Sequence, residues 1–405
     1  MLNEEETMFA VLEATRLNVD DKSRSNLFSW RGQFTPQFVD YLLETYARPG
    51  QRVLDPFCGS GTVLQEAASH GLAATGFEIN PAAYAMAKFF SLCGLSHPSR
   101  VTLVKSADEV LRSVLVTFDA DLPLFRRSSD YRESTSNLLT VAAEVLSRVN
   151  DKRTKLLLLL CLFRAEGSKN GALVTAVARA FRFLADHLML LPHSEEAPVA
   201  ALSDARSGHM LINGQADLII TSPPYINVFN YHQNYRTVLE LVGFDMLMVA
   251  HSEIGSNRKH RGNRFLTVIQ YCLDLELALD SFAKCLVPGG LLIMVLGRES
   301  RVRGVAFGNS VLAKALIERN GAYSQCMSHE RVFVNRFGQS IYEDILVTRR
   351  AGDPAVGDAA RNVARSALQE ARTNAEGDVC ANIDEAIGLS ESVKPSPIFN
   401  KAALI

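Results

Sequence analysis

Short apolar runs that stop at a glycine, an acid or a proline alternate with helix-spaced segments along two stretches of the chain, and between those stretches only the helical period persists. Arg52-Val53-Leu54-Asp55 reads as a strand that ends at a glycine-rich turn, with residues 63–70 as the helix behind it. Ala73-Ala74-Thr75-Gly76-Phe77-Glu78 reads as a second strand ending on an acid, followed by a helix over residues 81–92. A strand followed by a helix, repeated, predicts a mostly parallel sheet covered on both faces. The pattern resumes at residues 198–202 and 217–220, then at 289–296 behind a Pro288-Gly289-Gly290 turn. A helix over 310–320 and two strands near 324–334 and 344–348 complete the series. The expected fold is α/β, a doubly wound Rossmann-like sheet.

From about 105 to 195 the strand signal is missing, and residues 138–149, 152–164 and 172–191 carry apolar side chains at helical spacing. The segment 106–195 therefore reads as a helical insertion in a core made of residues 25–105 and 196–350. Residues 1–24 read as a polar, helical lead-in. Residues 351–405, rich in Ala, Asp, Glu, Asn and Gly and poor in aromatics, read as a polar, mobile tail.

Composition narrows this picture only slightly. No apolar run reaches the roughly 18–20 residues that span a bilayer, and the acidic start Met1-Leu2-Asn3-Glu4-Glu5-Glu6 is the opposite of a secretory signal. Both point to a cytoplasmic protein without a membrane partner. The seven cysteines are scattered with no CxxC pair, against both a disulfide framework and a zinc site, so no metal is expected. A formal net charge of −2 gives no global basic footprint, which leaves any nucleic-acid contact to one local face.

Four constellations carry chemistry. Asp55-Pro56-Phe57-Cys58-Gly59-Ser60-Gly61-Thr62 joins a strand to a helix. Gly59 and Gly61 allow a tight turn and close approach of a ligand to backbone N–H groups at the helix start. The spacing is neither G-x-G-x-x-G nor a P-loop, and a purely structural turn is the competing reading. Glu78, at the tip of the next strand, stands where doubly wound folds use an acid to accept from a ribose diol; a solvated capping acid is the alternative. Asp204 follows the 198–202 run and could accept from an adenine amino group, or be a surface acid in a turn.

The fourth constellation is Thr221-Ser222-Pro223-Pro224-Tyr225, at the end of the buried-type strand 217–220. Two prolines cannot continue a ladder and hold the backbone extended. They would aim the Ser222 hydroxyl and the Pro223 carbonyl as rigid acceptors, with Tyr225 as an aromatic plate. An exocyclic base amine is a poor nucleophile because its lone pair is delocalised, and acceptors for its hydrogens favour in-line attack on a methyl group. Tyr225 could stack on a base extruded from a duplex.

Residues 55–62 together with 221–225 resemble the amino-group DNA methyltransferases, which carry a D-P-F-x-G-S-G-T loop and a [DNS]-P-P-[YFW] motif. The Ser form is similar to the cytosine-N4 subgroup, whereas adenine-N6 enzymes more often show Asp. The resemblance implies a methyltransferase sheet and S-adenosyl-L-methionine as cofactor. Gln33, Phe34 and Thr35 would meet its methionine part, with Asp55, Pro56, Phe57, Gly59, Ser60, Gly61 and Thr62 forming the loop. Glu78 would take its ribose and Asp204 its adenine. It implies DNA as partner, with the target base flipped into the site, and a setting beside a restriction or defence system. Ser222, Pro223, Pro224 and Tyr225 would be catalytic. The intervening helical block could recognise the target or serve stability.

Downstream, Asn227 and a basic run with Arg258, Lys259, Arg261 and Arg264 could clamp phosphates, or be a solvated loop. Arg298, Arg301 and Arg303, after a strand's carboxyl end, could join that face. His232 reads as a polar contact and not as a metal ligand. Methylation of RNA and a non-enzymatic nucleic-acid-binding regulator are the competing readings of the whole.

Overall fold

A computed structural model describes residues 12–19, 23–120, 131–166, 173–212, 214–226, 231–256, 260–324, 326–335 and 338–400. Its strands are β1 (Arg52–Asp55), β2 (Ala73–Glu78), β3 (Val199–Leu202), β4 (Ala216–Thr221), β5 (Leu286–Gly297), β6 (Glu299–Val302), β7 (Val305–Gly308), β8 (Met327–Val334) and β9 (Ser340–Arg349). Seven of them form one sheet in the order β3-β2-β1-β4-β5-β9-β8, and β6 pairs with β7 as a separate antiparallel ladder. The ladders from β3 through β5 are parallel, and β9 runs antiparallel between β5 and β8. This is the doubly wound, Rossmann-like α/β sheet that the alternating pattern predicts, with the late strands added antiparallel at one edge. The chain order reverses between β1 and β4. In open α/β sheets the crevice outside the carboxyl ends of the strands at that point is where ligands bind.

Alternation along each strand sorts residues to two faces. Val53, Leu218, Ile220, Ile293 and Val295 face one core, built with Phe38, Val39 and Leu42 of helix α2 (Pro36–Tyr46) and Val63, Leu64 and Ala67 of α3 (Thr62–Ser69). Leu54, Ile219, Leu292 and Met294 face the other, with α11 (Leu266–Cys285), α12 (Asn309–Asn320) and α13 (Ala359–Thr373). A short helix, α1 (Ala14–Asn18), precedes α2, and α4 (Pro81–Phe89) follows β2 with Asn80 capping its first turn. Helix α11, unmarked in the pattern because nearly all its sides are apolar or buried, is the main support of the second face.

The helical insertion comprises α5 (His97–Ala120), α6 (Tyr131–Ser147), α7 (Lys152–Glu166) and α8 (Leu173–Leu190), before β3. It begins earlier than the expected residue 106. Leu103, Ala107, Leu111 and Val114 are buried at helical spacing, but the charged residues between them dilute the stripe. Arg100 ties the start of the block to its end through carbonyls, including those of Cys93 at 3.0 Å and Pro192 at 2.9 Å. Two short helices, α9 (Arg236–Leu241) and α10 (Met246–Ser252), pack against the same cluster.

Two expectations for the termini need correcting. The tail from 351 is not a mobile appendage: α13 and α14 (Gly377–Gly388) fold back, burying Val363, Ala364, Leu368, Ile383 and Ala386. The remaining chain to residue 400 buries Val393 and Phe399. An alanine-rich, charged composition hides a narrow apolar stripe that becomes stable only against α11. The lead-in also belongs to the core over its described part: Leu12, Leu17 and Val19 are buried, and the Leu17 carbonyl accepts from Arg331 Nε at 2.7 Å.

Candidate active site

At the reversal point β1 delivers Asp55 and β4 delivers Thr221. The Thr221 hydroxyl donates to Asp55 Oδ1 at 2.7 Å, so one buried hydrogen bond couples the glycine-rich loop to the Ser-Pro-Pro-Tyr turn. Beyond Asp55 the loop is closed by the Gly61 N–H donating to the Cys58 carbonyl at 2.8 Å. Gly59 and Gly61 have φ of 50° and 90°. A Cβ at Gly61 would stand 2.7 Å from Ala87 Cα, so this glycine is required both by conformation and by the close approach of α4.

Glu78, at the end of β2, turns back over this loop. Its Oε2 accepts from the Gly59 N–H at 3.0 Å and its Oε1 from the Asn80 N–H at 2.7 Å. Burial pushes the carboxyls of Asp55 and Glu78 up to about 7, against the lowering by their hydrogen bonds.

Two small cavities meet here. One, of about 70 Å³, is lined by Trp30, Gln33, Phe34, Asp55, Gly59 and Ser222, among others. The second, of about 50 Å³, is lined by Pro56, Glu78, Ile79, Asp204 and Ala205, among others. Phe57, Pro224 and Tyr231 line both. Gln33 is fixed by the Ser60 hydroxyl, which donates to its Oε1 at 2.7 Å, and Thr62 donates to Asn26 Oδ1 at 3.1 Å. Thr35 is turned elsewhere, its hydroxyl accepting from Arg331 Nη2 at 3.2 Å.

The Ser-Pro-Pro-Tyr turn is held from below. The Tyr225 ring lies where a Cβ on Gly297 would come within 2.8 Å, so glycine at the end of β5 is what admits the ring. The hydroxyls of Ser222 and Tyr225 are 3.3 Å apart. Burial raises the pKa of the Tyr225 hydroxyl, which keeps it a neutral phenol. Asn309 locks the exit of the turn: its Oδ1 accepts from the Ile226 N–H at 3.4 Å while its Nδ2 donates to the Gly297 carbonyl at 3.0 Å. Sequence reasoning missed Asn309 because nothing near it marks it. It also missed Trp30, whose ring stacks on Tyr231 at 5.9 Å across the first cavity; the chain's lone tryptophan, two residues before Gly32, was the available signal.

Asp204 lines the second cavity, but its carboxylate is already occupied. Arg206 donates to it from the backbone N–H (3.0 Å), Nε (2.9 Å) and Nη2 (2.6 Å), and the Phe399 N–H donates to Oδ2 at 2.9 Å. A carboxylate accepts about four hydrogen bonds, so none is left for an adenine amino group in this arrangement. Arg206 also donates to Asp274 Oδ1 at 2.5 Å and to the Ser396 carbonyl at 2.8 Å, all fully buried.

Of the expected phosphate contacts, Asn227, Arg258 and Lys259 lie outside the described residues. Arg261 is exposed and Arg264 half-buried, and between them Asn263 anchors the stretch to α14 by donating to the Asn382 carbonyl at 2.7 Å. Arg298, Arg301 and Arg303 are not free cations on that face: they pair with Glu330 and Asp344, with Glu299, and with Asp378. His232 is buried and its Nδ1 lies 2.8 Å from Glu253 Oε2, a polar contact as expected.

Residues 3–89 match the family described as DNA methylase. A stretch of 52 residues, 13% of this chain, is 38% identical to the type II methyltransferase M.MjaII of Methanocaldococcus jannaschii and covers 10% of that protein. Among solved structures, TrmN from Thermus thermophilus is similar over 79% of this chain and 50% of that one, at 17% identity and a TM-score of 0.33. An S-adenosylmethionine-dependent methyltransferase from Methanosarcina mazei is similar over 77% and 98%, at 11% identity and a TM-score of 0.34. The chain thus spans a tenth of its curated relative's length and half of the first structure's.

Proposed function

Because residues 3–89 match the family described as DNA methylase, we propose that the chain transfers a methyl group from S-adenosyl-L-methionine to an exocyclic amine of a DNA base, with cytosine N4 as the acceptor. The observation that carries this reading is the Thr221–Asp55 hydrogen bond, which sets the Ser-Pro-Pro-Tyr turn and the glycine loop side by side at the sheet's reversal point.

The residues present suit the cofactor at three places. Asp55 is a buried carboxyl with two neutral donors, Thr221 and the Phe57 N–H, and among the described residues no cationic partner, so it can answer a ligand's positive charge. The backbone N–H groups at the start of α3 offer donors to a ligand carboxylate. Glu78 borders the cavity floored by Ile79 and Ala205, where it can accept from a diol. Asp204 can reach an adenine amine only if Phe399 gives up Oδ2. Bound there, S-adenosylmethionine supplies an electrophilic methyl on a sulfonium.

The protein's part is positioning. Ser222 Oγ and the Pro223 carbonyl accept the amine's two hydrogens and turn its lone pair towards the methyl. Tyr225, held on Gly297, supports the ring of the extruded base. A near-attack arrangement of this kind provides much of a methyl transfer's acceleration. The amine's proton leaves to solvent after transfer. The Ser at the first motif position favours cytosine N4 over adenine N6.

Nucleoside mass spectrometry of DNA from a methylation-deficient bacterial host expressing the protein should find N4-methylcytosine. Ser222→Ala and Tyr225→Ala should each lower methyl transfer by about a hundredfold or more. N6-methyladenine would redirect the base assignment, and methylated RNA with unmodified DNA would sink the DNA reading.

A further inference from the structure

Most arginines described in the protein answer a carboxylate: Arg148 pairs with Glu144, Arg236 with Glu240, Arg331 with Glu343 and Arg372 with Asp384. Arg164 and Arg179 do not. Among the described residues neither makes a hydrogen bond or an ion pair, both are exposed, and both line one cleft. The cleft measures about 480 Å³, within the roughly 300–1,000 Å³ of ligand-sized sites, and runs between α7, α8 and Tyr235. No acid lines it. Glu166, at the end of α7, lies near Tyr235, but it is bonded to Thr237 and burial raises its pKa, which favours the neutral form.

Its walls are aromatic. The Arg164 guanidinium sits 3.6 Å above the Phe183 ring, a contact that holds the cation without neutralising it. The Tyr235 ring packs 5.1 Å from Phe163, and Tyr235 itself holds a left-handed backbone (φ 56°) that costs a non-glycine residue energy. Flat rings beside unpaired guanidinium groups are what a single nucleotide strand binds to: bases stack and phosphates meet arginine.

The cleft is also beside the active site. Phe28 and Ser29 line it, while Trp30 to Phe34, the next residues, line the first catalytic cavity. Tyr235 lines it, and Tyr231, four residues earlier, lines both catalytic cavities. We propose that this cleft seats the nucleotide next to the target base on the methylated DNA strand, with Arg164 and Arg179 on its phosphate and Tyr235 beside its base, Phe183 serving to hold the Arg164 guanidinium. This rests on the reading that DNA is the substrate, and it gives the helical insertion a direct part in holding the strand.

The test uses the full chain, a fluorescein-labelled DNA duplex and anisotropy across a salt series, alongside methylation of unmethylated genomic DNA. Arg164→Gln and Arg179→Gln should each weaken DNA binding by about tenfold and lower the slope of log K against log salt by about one. The cofactor's KM should stay at the wild-type value. Tyr235→Leu should weaken binding without changing that slope. Both substituted arginines are exposed, and Arg179→Gln, free of the Phe183 contact, carries the test if Arg164→Gln fails to fold. Wild-type affinity and slope in the double variant, with the wild-type enzyme methylating DNA, would overturn the cleft alone. A wild-type protein that neither binds nor methylates DNA would overturn the function and the cleft together. An RNA strand held through the same two arginines in preference to DNA would refute the strand assignment.

Discussion

Two carboxyls, each coupled to the glycine loop, set the chemistry at the scale of single residues. Asp55 and Glu78 are both pushed up to about 7 by burial. The folded protein therefore binds protons there between about pH 4 and 7 that the unfolded chain has released, and these two groups make stability fall as pH rises through that window. A cationic ligand such as S-adenosylmethionine favours their ionised forms. Its affinity should rise from pH 6 to pH 8 with protons released on binding, which calorimetry in buffers of different ionisation enthalpy will detect. A flat profile would count against Asp55 as the group facing the ligand's charge. Gly61 makes a second residue-scale prediction. Gly61→Ala forces a Cβ to within 2.7 Å of Ala87 Cα at a φ of 90°, and should cost about 1–3 kcal/mol or more of stability, read as a lowered Tm.

Between elements, the decisive contact is the one that the C-terminal segment makes with the loop after β3. Arg206 lies between Asp204 and Asp274 with all three side chains buried, and the Ser396 and Phe399 backbones close the remaining positions. Removing the cation leaves two carboxylates in the interior without a cationic partner. Arg206→Met should therefore lower stability by about 3–5 kcal/mol, measured by denaturant unfolding, whereas the exposed Arg236→Met should change it little. This cluster was legible in the sequence only as Asp204, a lone acid after a strand. Arg206 stands only two residues away, but Asp274 lies 68 residues beyond it and Phe399 195 beyond Asp204, and no local pattern announces a pairing at that range. The helices α13 and α14 were hidden for a related reason, since their stripe of alanine, valine and leucine acquires meaning only against the apolar side of α11.

For the molecule as a whole, a net charge of −2 understates how charge is distributed. Arginines that looked available from their positions, Arg298, Arg301 and Arg303, are matched by acids, two of them from other elements, while Arg164 and Arg179, unremarkable on the helices of the insertion, are left without acids. The sequence by itself determined the alternation of strands and helices, the parallel core, the glycine loop and the Ser-Pro-Pro-Tyr turn, because each is written in adjacent residues by periodicity, by proline's missing donor and by glycine's freedom at positive φ. Tertiary structure alone decided that Thr221 meets Asp55, that Gly297 admits Tyr225, that Asp204 is taken by Arg206 and Phe399, and which arginines remain unpaired. Those outcomes depend on which distant side chains share a buried volume, and burial is what turns an ordinary acid or arginine into a paired, neutral or free one.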